Sequence, residues 1–344
     1  MIWSLQALRF VAALMVVYVH AAQTAAEVTS SLGSSPLSLV GSGLAGVDIF
    51  FVVSGFIIAK VAPGRHPVEF LWSRVVRVVP IYLIFALPQV AISVVGGTFG
   101  WREAFATFLF WPATDQMTAP SLEVGWTLCF EMLFYAAAGL VLAGRRWVYL
   151  LLGAYGVAFI LRPASPVFQF LGNPLILEFM FGVAIAYLPR WRRGTWALMF
   201  GIALLIGIGL LGAIPFGGAL DFLVGSKDIV GRDGLYRVLV FGVPAALIVY
   251  GTVHIEARGS VWTYLGDASY SLYLSHPLLL AELQRIWMSF PAPPDIIIAV
   301  GVAASVTFAW RVHELIEKPT LSAMRRLRPT QYGAAGIKVL QEGG

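Results

Sequence analysis

Hydrophobic residues in this chain come in long stretches separated by short polar connections. A helix crossing the hydrocarbon core of a bilayer needs roughly 20 apolar residues at 1.5 Å rise each. Ten stretches approach that length: 4–26, 43–61, 76–97, 124–143, 147–162, 170–189, 196–214, 236–251, 262–287 and 294–314. The segment 101–113 is apolar but short, which predicts an interfacial or re-entrant helix between the third and fourth spans. No period of 20–50 residues recurs, so there is neither a solenoid nor an obvious inverted repeat. The pattern predicts an all-α, polytopic transmembrane helix bundle of about ten spans. Residues 1–320 form its membrane domain and 321–344 a basic tail.

Composition closes off the other classes. Of 344 residues, 59% are hydrophobic and 12% charged, against about 25% charged in soluble proteins. Mean hydropathy is +0.82. So much apolar material excludes disorder. Cys129 is the only cysteine, so no disulfide framework exists within the chain. The net charge of +5 does not call for a nucleic-acid partner, because membrane proteins gather Lys and Arg in cytoplasmic loops. The first stretch lacks a basic leader and is interrupted by Arg9, so it reads as a retained span rather than a signal peptide.

Charge also predicts orientation. With both termini in the cytoplasm, sixteen of the 23 Lys and Arg fall in inner segments and six in outer ones, Arg9 lying within the first span. That bias supports ten spans with cytoplasmic ends. The longest outer connections are 27–42 and 215–235. The second carries Asp221, Lys227, Asp228, Arg232 and Asp233, which suits a solvated loop or contact with a polar partner. The tail, with Arg325, Arg326 and Arg328, suits an anchor on anionic lipid.

Ionisable groups at membrane depth cost several kcal/mol, and each is a candidate functional residue. Arg9 and His20 are eleven residues apart, about 20° apart on the helix wheel and roughly 16 Å apart along the axis. Glu131 falls at a depth similar to His20, so the two could meet across the bundle. A carboxylate beside an imidazole fixes its tautomer and strengthens it as a general base, although a purely structural pair would look the same. Tyr135 follows Glu131 at i+4. Asp48, near the outer end of the second span, either joins this acidic group or reaches the interface.

On the inner side Arg74 and Arg77, at i and i+3, share a face. They suit phosphate contacts or, more plainly, anchoring at the inner interface. Tyr270, Tyr273 and His276 form a polar stripe in the ninth span, where helix packing is the plainer account. His276 has no evident acidic partner at its depth and is the fallback base. Glu314 and Glu317-Lys318-Pro319 predict an interfacial ion pair closing the tenth span. No metal-ligand spacing, P-loop, G-x-S-x-G or dinucleotide fingerprint occurs, so neither a metal nor a permanently bound cofactor is expected. Cations inside and acid–base groups toward the outside suit an anionic cytoplasmic donor reaching toward a buried base.

Six segments in order then resemble one family. They are Leu8-Arg9-Phe10 with His20, Gly46 to Phe56 around Asp48, and Arg74/Arg77/Pro80/Tyr82. Trp126-Thr127-Leu128 with Glu131 and Phe134-Tyr135 follows, then Ser269 to Tyr273 with His276, and Glu317-Lys318-Pro319. Together they resemble the acyltransferase-3 family of bacterial integral membrane acyltransferases, in particular its exopolysaccharide O-acetyltransferases. The resemblance covers about residues 1–320. It implies transfer of an acyl group, usually acetyl, from acetyl-CoA as co-substrate to a hydroxyl of a surface or secreted polysaccharide or its lipid-linked precursor, at the bacterial inner membrane. It further implies that Arg9 and His20 form a first-helix active-site pair, that Arg9, Arg74 and Arg77 hold the donor, and that Glu131 is the acidic partner. Asp48, Tyr135, Tyr270, Tyr273, His276 and Glu317 would support them. One departure is Gln6-Ala7 where members often have Asp-Gly, so no role carries onto Gln6. The chain runs only a short way past the tenth span, so transfer is expected to be completed by the membrane domain or handed to another protein. A transporter or flippase for a glycan or glycolipid is the competing reading, since intramembrane charge also marks substrate paths.

Overall fold

A computed structural model describes residues 3–189, 194–210, 234–256 and 261–326. Most of the outer connection 215–235 and the tail past Arg326 lie outside these residues. Among the described residues every regular element is helical, with one isolated bridge between Ala113 and Met117. The helices are α1 (Trp3–Thr29), α2 (Leu37–Gly43), α3 (Ala45–Val61), α4 (Pro67–Val95), α5 (Trp101–Leu109), α6 (Trp126–Ala143), α7 (Arg146–Ile160), α8 (Pro166–Leu171), α9 (Ile176–Tyr187) and α10 (Thr195–Leu210). They continue with α11 (Gly234–Thr252, with a π-helical turn at Val238–Gly242), α12 (Val261–Asp267), α13 (Ser269–Ser289), α14 (Pro294–Val312) and, after a second π turn at His313–Glu317, α15 (Lys318–Arg326). Pro67 and Pro294 open α4 and α14, at the first helical position where the missing N–H is not needed.

Seven helical stretches among the described residues are long and apolar enough to cross a membrane: Trp3–Thr29, Leu39–Val61, Pro67–Val95, Glu123–Ala143, Pro166–Tyr187, Gly234–Thr252 and Pro294–Met324. The chain is therefore a multi-pass membrane protein, all-helical over the described residues. Three of the ten expected spans do not meet that standard. α7 and α10 are described over 15 and 16 residues, short of a full crossing. α13 has the length, at 21 residues, but its serines, tyrosines, His276, Glu282 and Arg285 make it too polar. The segment 101–113 contains only the nine-residue α5, which exposes Trp101, Phe105, Phe108 and Leu109 and buries Ala106 and Thr107.

Apolar side chains gain little by exchanging lipid for one another, so helices associate through close packing of small residues. Gly55 on α3 and Gly182 on α9 make the tightest crossing. A Cβ on Gly55 would stand 2.0 Å from the Phe179 carbonyl oxygen, and one on Gly182 would stand 2.0 Å from that of Val52. Phe179 stacks on Phe51 and on Phe134, with centroids 4.6 and 4.7 Å apart, joining α3, α9 and α6. The long helix α1 packs on α3, α12, α13 and α14. A Cβ on Gly46 or Gly266 would stand 2.4 Å from the Ala12 oxygen or 2.1 Å from the Gln6 oxygen.

Asp48 neither joins Glu131 nor reaches the interface. It is fully buried, and its carboxylate accepts from Arg237 Nε at 3.1 Å and Nη2 at 2.7 Å, tying α3 to α11. Glu178 is buried beside it, against Gly242 of the π turn. Removing one partner of a buried pair costs about 3–5 kcal/mol.

The Gly55–Gly182 crossing leaves no room for a methyl group. Gly55→Ala and Gly182→Ala should each destabilise the bundle by about 1–3 kcal/mol, the usual penalty of overpacking. Thermal unfolding in detergent, followed by tryptophan fluorescence, measures this. Wild-type melting of both variants would show that the two backbones are not in contact.

Candidate active site

α1, α3, α4, α6 and α13 line a partly open chamber. Its polar lining comprises Arg9, Ser54, Arg74, Arg77, Thr127, Glu131, Tyr135, Tyr270 and Tyr273, and apolar walls come from residues such as Phe50, Phe51 and Ile58. Three guanidiniums thus face one carboxylate. That excess of positive charge, partly screened from water by apolar walls, is suited to an anionic ligand.

Each polar side chain is placed by its helix. Arg74 and Arg77, one turn apart on α4, both reach the chamber. The Arg74 guanidinium lies 5.9 Å from the Phe70 ring centroid and 6.0 Å from that of Tyr135, and its Nε donates to Ser73 Oγ at 3.3 Å. Glu131 Oε1 accepts from Ser54 Oγ at 3.1 Å and from the Tyr135 hydroxyl, its i+4 neighbour on α6. Tyr270 donates to the Val78 carbonyl at 2.8 Å, pinning α13 to α4 beside the arginines. The Tyr273 hydroxyl lies 3.1 Å from the Val124 carbonyl and 3.0 Å from Thr127 Oγ1, where α6 begins.

Arg9 is held by a relay that sequence reading left without a role. Its Nη1 donates to Gln6 Oε1 at 2.9 Å, one turn earlier on α1, and Gln6 Nε2 donates to Asp267 Oδ1 at 2.7 Å. Gly266 makes this possible, because only a residue without Cβ lets α12 approach the α1 backbone so closely. An acidic residue at position 6 could contact Arg9 directly, whereas glutamine borrows its acid from α12.

The expected meeting of His20 and Glu131 does not occur. Glu131 belongs to the chamber, while His20 is absent from its lining and pairs with His276, Nδ1 to Nε2, at 2.9 Å. The rings lie 4.9 Å apart between centroids. Depth alone suggested the earlier pairing, but α1 turns His20 toward α13 while α6 packs on α4 and α7. Between chamber and histidine pair stand Tyr273, with its ring centroid 6.1 Å from that of His276, and Phe50, 5.8 Å from Tyr273.

Glu317 also departs from expectation. It is buried in the second π turn, accepting from Ser271 Oγ at 2.6 Å and pairing with His313 Nδ1 at 2.8 Å. The expected interfacial ion pair forms between Lys318 and Glu314, which also accepts from Tyr264. Sequence reading missed Arg237, Glu178 and His313. For the first two the available signal is charge within an apolar stretch, since Glu178 falls in 170–189 and Arg237 in 236–251.

Comparison with known proteins adds identity to this geometry. The family profile of the acyltransferase domain (Acyl_transf_3) matches residues 2–313. The exopolysaccharide production protein ExoZ of Rhizobium meliloti is 30% identical over 316 residues, covering 86% of this chain and 94% of that one. The acyltransferase MdmB of Streptomyces mycarofaciens is 22% identical over 381 residues, covering 95% of this chain and 93% of its own. No solved structure matches.

The Gln6 relay has a measurable consequence for acyl transfer. Gln6→Ala should cut the rate about tenfold, the ~1.5 kcal/mol of one lost charge-assisted bond, and Gln6→Asp should recover part of it. Equal rates in all three normally inserted proteins would separate Arg9 placement from the relay.

Proposed function

The chain belongs to the acyltransferase domain family, and from that premise we propose that it is an acyl-CoA-dependent O-acyltransferase. In this reading it moves an acyl group, acetyl being the simplest, to a hydroxyl of a surface or secreted polysaccharide or its lipid-linked precursor. The observation that carries it is the convergence of Arg9, Arg74 and Arg77 with Glu131 on one chamber inside a membrane bundle. Arginine forks bind phosphates through paired, charge-assisted hydrogen bonds. The distribution of Lys and Arg supports ten crossings with cytoplasmic termini, α7, α10 and α13 completing the count and Arg74 and Arg77 facing the cytoplasmic donor. The membrane is then a bacterial inner membrane. The name of the Rhizobium relative supports an exopolysaccharide acceptor.

Each part of the site has a task in this scheme. The arginines hold the donor's phosphates, and Glu131, fixed by Ser54 and Tyr135, limits the positive charge they accumulate. The acyl arm extends past Phe50 and Tyr273 to His20. His20 takes the proton of the acceptor hydroxyl as its oxygen attacks the thioester carbonyl. The carbon–sulfur bond breaks, and the thiolate leaves with the proton from His20, giving ester and free thiol. Sugar hydroxyls are poor nucleophiles at neutral pH, and a positioned base typically contributes 10²–10⁴-fold.

Two measurements test the proposal. Membranes containing the chain should transfer label from [¹⁴C]acetyl-CoA to polysaccharide, and cells without it should yield polysaccharide lacking the corresponding mass increment. Polysaccharide unchanged by the chain's presence, with every acyl-CoA tried, would overturn it. Within the scheme, Arg74→Ala with Arg77→Ala should raise KM for acetyl-CoA at least tenfold, and Lys at both positions should restore only part, lacking the fork. His20→Ala should abolish turnover while leaving acetyl-CoA binding intact; full activity in that variant would remove His20 as the base.

A further inference from the structure

Two side-chain pairs with a buried histidine stand out among the described residues, and general-base chemistry ordinarily favours the one backed by a carboxylate. That pair is His313 with Glu317, but its free nitrogen, His313 Nε2, is buried without a partner. The other pair, His20 with His276, has no carboxylate in hydrogen-bond contact among the described residues. Besides His276, His20 has a backbone hydrogen bond to Val16, one turn earlier on α1, and neither of its ring nitrogens is among the buried side-chain atoms left without a partner.

We infer that His276 is the positioning residue of His20, fixing its tautomer through a chain anchored on a backbone carbonyl. This rests on the reading of His20 as the base. His276 Nδ1 lies 3.0 Å from the Leu272 carbonyl oxygen, with the Tyr273 carbonyl beside it. A carbonyl only accepts, so His276 Nδ1 carries the hydrogen. Pro277 contributes to this arrangement, since it has no N–H to return to the Tyr273 carbonyl and leaves that oxygen open. His276 is fully buried, and a second proton would place an uncompensated cation there, at high cost. Its Nε2 therefore presents a lone pair. The hydrogen in the 2.9 Å contact must come from His20 Nδ1, which leaves the His20 Nε2 lone pair free for the acceptor hydroxyl.

The chain thus runs from carbonyl through two rings to a base, with every donor assigned. When His20 takes a proton on Nε2, its Nδ1–H still donates to His276, and no second proton has to move. His276 occupies the place that an aspartate holds in carboxylate-backed histidines. Unlike a carboxylate, it adds no negative charge to the apolar outer half of the bundle.

Nitrogen-15 NMR of the full chain in nanodiscs tests the assignment without acceptor or donor. Histidine signals, assigned with His20→Gln and His276→Gln variants, should show both rings neutral, each protonated at Nδ1 and bare at Nε2. A hydrogen on His20 Nε2 in the resting protein would overturn the inference. Kinetics give a second reading. His276→Leu should lower kcat at least 100-fold with KM for acetyl-CoA unchanged, and His276→Asn, whose amide oxygen can accept from His20 Nδ1, should stay within about tenfold of wild type. Equal loss in the Leu and Asn variants, both correctly inserted, would reduce His276 to a packing residue. If His20→Ala is fully active while the tautomers are as stated, the base reading fails and the hydrogen-bond chain stands.

Discussion

A charged or hydrogen-bonding group inside a bilayer has no water to turn to, so its partners must come from the protein. That constraint organises this bundle. Asp48 and Arg237 satisfy each other in the buried interior, and their pairing ties α11 to α3. Glu317 collects a histidine and a serine for the same reason. Arg9 reaches its acid only through Gln6, and that contact needs a glycine where α12 meets α1. In the chamber the accounting is left open. Arg9, Arg74 and Arg77 face one carboxylate that already accepts from two hydroxyls. That excess of guanidinium over carboxylate marks the chamber as a site.

Much of this was legible in the chain, and the limits have a physical origin. Hydropathy located seven of its ten expected crossings as long apolar helices, because a bilayer imposes a common length and polarity on them. Helical spacing put Arg74 with Arg77 and Glu131 with Tyr135 on common faces, and all four line the chamber. What one-dimensional reasoning supplied was depth and azimuth on each separate helix. It did not supply which neighbour each face meets. His20 and Glu131 were matched by depth and lie on opposite sides of Tyr273 and Phe50. Depth alone gives Asp48 either the acidic group around Glu131 or the interface, while its partner is an arginine 189 positions away. Crossings such as Gly55 with Gly182 decide these matters, and a single glycine among 35 does not announce which backbone it will touch.

The same glycine crossing has a mechanical consequence. α3 and α9 touch backbone to backbone, with no side chain between them to change rotamer and take up slack. α4 is built differently: most of its residues are not buried, and Pro80 and Pro88 each remove a rung from its hydrogen-bond ladder. The chamber therefore has one stiff wall and one compliant wall, and the compliant one carries Arg74 and Arg77. Any widening that admits a bulky guest falls on α4, so the segment that grips the ligand is also the one that yields to it.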